Sequence, residues 1–143
     1  DTVDKAIEVC GLPKRKCVTK KFRIHGYRKN PDLTDHMYVY GSDEPKILRL
    51  IEQEPALGEK LSQKFGYTLA EVVWAVREEM AITLEDVLAR RVRMLFVDAR
   101  EAMAAAPKAA AIMARELGRD QAWIDEQVKS FTDLAKNYIF EQK

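Results

Sequence analysis

The sequence lacks the motifs and segments that mark many enzymes and membrane proteins. Its 143 residues contain no run near the roughly 18 apolar residues that a membrane-spanning helix needs, and no signal peptide opens the chain. GxGxxG, the Walker loop, GxSxG and HExxH are all absent. Because no nucleophile, base and anion-binding group could act together, the sequence indicates no catalytic residue, no cofactor-binding residue and no metal ligand. We expect a cytoplasmic protein.

Cysteine and histidine are scarce, with two residues of each. Cys10 and Cys17 form no CxxC motif and have no second ligand pair, so we expect reduced thiols rather than a disulfide. The spacing of His25 and His36 from Cys17 fits no closed zinc site. Exposed or hydrogen-bonded histidines are therefore the expectation.

Positive charge is concentrated near the N terminus, although the net charge is only +1. Between positions 14 and 29 there is no acidic residue, and the basic residues are Lys14, Arg15, Lys16, Lys20, Lys21, Arg23, Arg28 and Lys29. With Phe22, Tyr27 and Tyr38 available for stacking, this run is compatible with nucleic-acid binding. Because the rest of the chain is acidic, we favour a solvated or interdomain face and predict no nucleic-acid partner.

The first 41 residues are predicted to form a basic leader, or connector, outside the main domain. Asp1–Val9 has the pattern of the end of a helix, and Gly11 with Pro13 stops it. The alternation in Cys17–Tyr27 predicts an extended segment or edge strand that has no partner strand. Arg28–Tyr40 is predicted to be an irregular loop. We expect a further domain to precede the chain and to supply the missing contacts.

The strongest helical signals lie between Tyr67 and Arg100. Thr68 and Glu71 form a capping box, which predicts a helix that starts at Thr68. On a helical wheel Glu71 and Glu78 lie opposite the face that is predicted to be buried. That buried face consists of Leu69, Val72, Val73, Val76 and Met80.

Thr83 followed by Asp86 gives a second start signal, and we favour a second helix after a kink near Ala81 to Thr83. The alternative is one continuous helix, because the apolar phase does not break between Met80 and Leu84. The apolar stripe of the second helix is Leu84, Leu88, Leu95, Ala99 and Ala102. Arg91 and Asp98 lie within this face, two turns apart, too far for a direct bond. Since a charge that faces a core is costly unless paired, we expect each to have its own partner, or the face to meet another domain. The alternative is that both lie at the rim and reach water.

Arg90, Arg91, Asp98 and Glu79 are the candidate residues for an interdomain contact or a structural ion pair. A guanidinium at this position could clamp a carboxylate or phosphate, or hold Glu79 across the kink. The helix has no converging anion-binding groups. We therefore expect Arg91 to make mainly a structural ion pair.

Shorter helices are predicted on both sides of the central pair. Ser42 or Asp43 caps one over Glu44–Glu54, and a further helical piece covers Ala56–Lys64. Pro107 is predicted to start a helix over Lys108–Leu117. The last helix is capped by Asp120, is expected to lie against the central pair, and has the apolar stripe Ile124, Val128, Phe131, Ala135, Tyr138.

The predicted fold is mainly α. It is a small, irregular bundle of about five to six helices with an extended basic N-terminal leader. We expect a connector over residues 1–41 and a helical C-terminal domain over residues 42–143.

Several stretches resemble the C-terminal helical domain of FAD-dependent glycerol-3-phosphate dehydrogenase, the respiratory or aerobic enzyme. They are AEVVWAVREEMAITLEDVLARR, then DAREAMAAAPKAAAIMARELG, then the tryptophan-containing helix that ends in LAKNYI. The earlier stretches IHGY and YGSDEPKI extend the resemblance through nearly the whole chain. No single stretch is a chemical signature, and it is their order and spacing that carry the resemblance.

The resemblance implies a full-length flavoenzyme that oxidises glycerol 3-phosphate to dihydroxyacetone phosphate and passes electrons through FAD to quinone. Its flavin and substrate residues belong to an N-terminal part, so this chain alone is not expected to bind FAD or to be active. The expected partner is that flavin and substrate domain, which the helical domain would brace. Self-association and a peripheral contact with the cytoplasmic face of a membrane are further implied roles. The electron acceptor, quinone or oxygen, stays open, and the alternative is an independent helical protein-interaction module.

Overall fold

The computed structural model describes residues 2–140, and its regular elements are helical. The α-helices are α1 Thr2–Val9, α2 Glu44–Gln53, α3 Leu69–Glu78, α4 Met94–Val97, α5 Ala99–Leu117 and α6 Gln121–Lys136. Two 3₁₀ segments, His36–Asp43 and Pro55–Gly58, and one π-helical turn, Asp86–Arg91, complete the list. Between residues 2 and 140 the β pairing is limited to one isolated bridge, Lys60 to Thr68. The predicted fold class is confirmed.

The core is built around α5, whose buried face is lined with alanine. Small side chains let neighbouring helices approach closely, and α3 and α6 both pack on this helix. The buried α5 residues are Ala99, Ala102, Ala105, Ala106, Ala109, Ala110, Met113 and Ala114. From α6, Phe131 and Ala135 are buried. The last helix was predicted to lie against the central pair; it packs mainly on the alanine face of α5 and meets the central pair at Leu84, whose N donates to Gln127 Oε1 at 2.9 Å.

Both predicted start signals in the central region are confirmed. Thr68 N donates to Glu71 Oε2 at 2.7 Å, and α3 begins at the next residue. Thr83 N and Thr83 Oγ1 donate to Asp86 Oδ2 at 2.9 and 2.8 Å. The predicted break between the two helices is also present. Met80 lies within this break at φ 59° and is 85% exposed, so its placement on the buried face was wrong.

The region after the break is not the single helix that the sequence predicts. The π-helical turn ends before Arg93, which has a φ of 57°, and the short α4 follows. Asp98 then starts α5 as its N-cap, accepting from Arg100 N and Glu101 N, both at 3.1 Å. Asp98 is therefore a cap rather than a charge on an apolar helix face.

Two further predicted elements need correction, and a third is confirmed. Pro107 lies inside α5 instead of starting a helix; it sits on the exposed side, while the buried alanines hold the turns around it. The helical piece predicted over Ala56–Lys64 is only the 3₁₀ turn Pro55–Gly58. Asp120 does cap α6, as predicted, by accepting from Trp123 N at 3.0 Å.

The leader contains turns where the sequence predicts a strand. Tyr27 N donates to Ile24 O at 3.1 Å, which closes one turn, and Lys21 N donates to Val18 O at 3.3 Å in another. The predicted extended leader is thus not confirmed, since residues 17–27 fold back locally instead of pairing. The loop predicted over residues 28–40 ends in the 3₁₀ segment that starts at His36. The first helix is present from Thr2, while Asp1 lies outside the described residues.

Two glycines bring the leader against the helical part of the chain. Ser42 N donates to Gly26 O at 3.2 Å. Gly41 has φ 53° and ψ −118°, and a Cβ atom added there would lie 1.8 Å from Gly26 O. Only glycine fits this position, because both the backbone conformation and the close approach exclude a side chain. The IHGY and YGSDEPKI stretches therefore meet in space.

We predict that Gly41→Ala destabilises the protein more than Gly11→Ala. Both residues have positive φ, but the space around Gly11 is open. Gly41→Ala should lower the free energy of unfolding by about 2 kcal/mol or more, measured by urea denaturation, because strain and clash add. Gly11→Ala adds the backbone strain without the clash and should cost only about 1 kcal/mol. Equal effects of the two substitutions would contradict the close contact.

Candidate interdomain site

The docked leader turn is held to the helical domain by a hydrogen bond and an ion pair as well as by the glycine contact. His25 Nε2 lies 2.6 Å from Asp43 Oδ2, and Arg28 pairs with Glu44 at the start of α2. Hydrogen bonds from Lys46 and then His25 lower the pKa of the Asp43 carboxyl, although burial opposes them. Asp43 therefore stays ionised and contacts His25 of the leader as well as Lys46 of α2.

A cleft of about 250 Å³ opens beside this junction. It is lined by His25, Asp43, Lys46, Trp74, Glu78 and Glu79. Lys46 Nζ lies 2.8 Å from Asp43 Oδ1 and 5.7 Å from the centre of the Trp74 ring. One wall thus comes from the leader junction and the other from the C-terminal end of α3.

Glu79 and Arg91 lie together across the break that follows α3. Arg91 Nε is 3.0 Å from Glu79 Oε2, and an NH2 group of the same guanidinium donates to Glu79 O at 2.5 Å. Burial raises the pKa of the Glu79 carboxyl, while the Arg91 charge opposes that rise. The guanidinium therefore both compensates a partly buried carboxylate and ties the π-helical turn to the end of α3.

The other two candidate residues lie elsewhere and have separate partners. Arg90 pairs with Glu85 at 2.5 Å and Asp86 at 2.6 Å, within its own turn. Asp98 pairs with Lys64 at 2.5 Å, and this bond lowers the pKa of the Asp98 carboxyl. The four candidates therefore form one pair and two independent contacts, not one site.

The buried charge that sequence analysis missed is Glu71, which is 1% exposed. Besides Thr68 N, its carboxylate accepts from Tyr40 OH at 3.2 Å and lies 3.1 Å from His36 Nε2. The bond to Glu71 raises the pKa of His36, and burial together with the nearby carboxylate raises that of Tyr40. The capping box signalled that Glu71 folds back toward Thr68, but no sequence pattern linked it to His36.

The ion pairs described above hold neighbouring segments of the chain together. Within residues 2–140, no group of three or more histidine, cysteine, aspartate or glutamate side chains is placed to hold a metal ion. In the same part of the chain, no helix is both long and apolar enough to cross a membrane. Cys10 and Cys17 are exposed free thiols.

We predict that Arg91→Met is more destabilising than Arg90→Met. Removing Arg91 leaves Glu79 partly buried without its cation, and we expect a loss of about 1–2 kcal/mol in the free energy of unfolding at pH 7. Arg90 is exposed, and its loss should cost less than about 0.5 kcal/mol. Since burial raises the pKa of Glu79, protonation relieves the unpaired charge, so the Arg91→Met cost should shrink as the pH falls below that pKa. An unchanged stability of Arg91→Met at pH 7 would contradict the structural ion pair.

Comparison with known proteins identifies the family. Residues 17–124 match the family described as the C-terminal domain of alpha-glycerophosphate oxidase. A probable mitochondrial glycerol-3-phosphate dehydrogenase of Dictyostelium discoideum is 28% identical over 96% of this chain and 21% of its own length. The Caenorhabditis elegans protein of the same name is 29% identical over 97% of this chain and 22% of its own length. Glycerol-3-phosphate dehydrogenase 2 of Mycobacterium tuberculosis is 32% identical over 83% of this chain and 20% of its own length.

The chain thus spans about a fifth of the length of the curated relatives it matches. No solved structure matches it. The resemblance noted from the sequence is confirmed. The chain belongs to the family of the C-terminal domain of alpha-glycerophosphate oxidase.

Proposed function

We propose that the chain is the accessory C-terminal domain of an FAD-dependent glycerol-3-phosphate dehydrogenase, and that it braces the catalytic domain without performing chemistry. The full-length enzyme would oxidise glycerol 3-phosphate to dihydroxyacetone phosphate and pass the electrons through FAD to quinone. The family match to residues 17–124 is the observation that carries this proposal. FAD would be held by the N-terminal flavin and substrate domain, which is the proposed partner.

The leader supplies the docking surface in this proposal. None of the residues of α1 is buried, although a helix of eight residues is marginal without tertiary contacts. Val18, Phe22 and Ile24 are 70%, 68% and 72% exposed and lie among basic residues. A surface that is both apolar and basic favours a partner surface that is apolar and acidic. This supports residues 1–41 as the connector and residues 42–143 as the bracing domain.

The proposed setting of the full-length enzyme is the cytoplasm, with a peripheral contact on the cytoplasmic face of a membrane. The eukaryotic relatives carry the word mitochondrial in their names, so a mitochondrial setting is the competing proposal. Self-association is a second proposed role of the bracing domain. No nucleic-acid partner is proposed, because the leader's charges lie beside exposed apolar side chains that suit a protein contact.

We predict that Phe22→Asp in the full-length flavoenzyme loosens the catalytic domain, whereas Val97→Asp does not. The two side chains are similarly exposed, at 68% and 65%, but Val97 lies outside the leader. An aspartate in an apolar interface loses the burial energy of phenylalanine, about 1.5–3 kcal/mol, so FAD release on heating should occur roughly 5 °C lower. Flavin fluorescence during a thermal ramp measures this.

Two outcomes would overturn the proposal. If Phe22→Asp and Val97→Asp both leave the FAD-release temperature unchanged, the leader is not the docking surface, and an independent interaction module is favoured. The second test mixes the purified chain with FAD, glycerol 3-phosphate and a reducible dye, and we expect neither flavin uptake nor dye reduction. Turnover by the chain alone would place catalytic residues within it.

A further inference from the structure

Two hydrogen bonds connect the 3₁₀ segment His36–Asp43 to the first turn of α3, one from Tyr40 OH and one at His36. His36 Nε2 lies 3.1 Å from Oε2 of the buried Glu71 carboxylate. The imidazole is packed in place: Tyr67 meets it edge-on at 5.3 Å, and a Cβ atom on Gly66 would lie 2.7 Å from His36 Nδ1. The ring is therefore held at the N-terminal end of the segment, and its side chain remains 31% exposed.

The other end of the same segment holds the leader. Gly41 contacts Gly26, Ser42 N donates to Gly26 O, and Asp43 pairs with His25. The segment has only eight residues and bends at Gly41; its C-terminal end runs directly into α2, and the His36 contact holds its other end on α3. Loss of the His36 contact would therefore weaken the contacts between the segment and the leader.

The charged and titratable groups around His36 determine whether its imidazole is protonated. Glu71 on α3 and the neighbouring Asp35, whose Oδ1 is 3.4 Å from His36 Nδ1, favour the imidazolium. Burial and the charge of Lys60 oppose it, and the net effect is a raised pKa of His36. Stability from the pair is therefore fully present below the ordinary pKa of histidine and is lost as the pH rises through the raised value.

We propose that His36 is a proton-dependent latch, which holds the 3₁₀ segment and the docked leader on α3 when charged and loosens them when neutral. Glu71 keeps its bond from Thr68 N in both states, whereas Tyr40 belongs to the segment and loosens with it. The start of α3 therefore stays intact while the leader junction opens. The inference concerns contacts within this chain and does not rest on the proposed function.

Hydrogen exchange of the Ser42 amide, measured from pH 6 to pH 8.5 and converted to protection factors, tests the latch. We expect protection of Ser42 to fall roughly five- to tenfold with rising pH, because charge-assisted hydrogen bonds are about twice as strong as neutral ones. In His36→Gln the protection should stay flat at the lower level. The Ala102 amide, which donates to Asp98 O at 3.0 Å in α5, reports global opening and should not change.

His25→Gln is the matched control, because His25 is the other imidazole at the junction. The pH-dependent fall should persist in this variant. A wild-type protection factor that does not change with pH, or a fall that persists in His36→Gln, would overturn the proposal. The wild-type imidazole resonances give a test without a variant: the fall in Ser42 protection should level off once the pH passes the midpoint of the His36 titration, and a fall that continues well above that midpoint would contradict the latch.

Discussion

The contacts between the leader, the 3₁₀ segment and α3 depend on one buried carboxylate, that of Glu71. Burying an isolated charge is so costly that it must be hydrogen-bonded from several sides. Here the backbone and hydroxyl of Thr68, the Tyr40 hydroxyl and the His36 imidazole surround it. A single side chain thus fixes the start of α3 and the segment on which the leader docks.

The local elements of this fold could be predicted because their causes are local. A capping box is a contact between residues three apart, so Thr68 with Glu71, and Thr83 with Asp86, marked helix starts without any tertiary information. Asp120 marked α6 for the same reason. The burial of Glu71 could not be predicted, because a helical wheel shows which residues share a face but not what covers that face.

The missed features arise from contacts between distant parts of the chain. The left-handed residue Arg93 breaks the second helix, although no glycine or proline signals a break there. Pro107 is a residue typical of the first turn of a helix, yet α5 continues on both sides of it because the alanines around it are buried. The pairing of Asp98 with Lys64 joins residues 34 positions apart, which no periodic pattern indicates. A contact between Arg91 and Glu79 across the kink was predicted only as one of several options for the Arg91 guanidinium.

The two parts of the chain differ in how much of their apolar surface is buried. The helical domain has a closed core, whereas the leader presents apolar and basic side chains that the described residues do not cover. The junction at Gly26 and Gly41 joins the two parts. This combination of a packed body and an open contact surface supports the proposal that the chain braces a larger enzyme.

The most direct test of the role of Glu71 is the free energy of unfolding of Glu71→Ala compared with Glu78→Ala, measured by urea denaturation with far-ultraviolet circular dichroism. Both residues lie on α3, but Glu78 is exposed. We expect Glu71→Ala to cost about 3 kcal/mol or more, because it leaves several partly buried donors without their acceptor, and Glu78→Ala to cost less than about 0.5 kcal/mol. Similar small losses in the two variants would contradict the claim that the structure depends on this carboxylate.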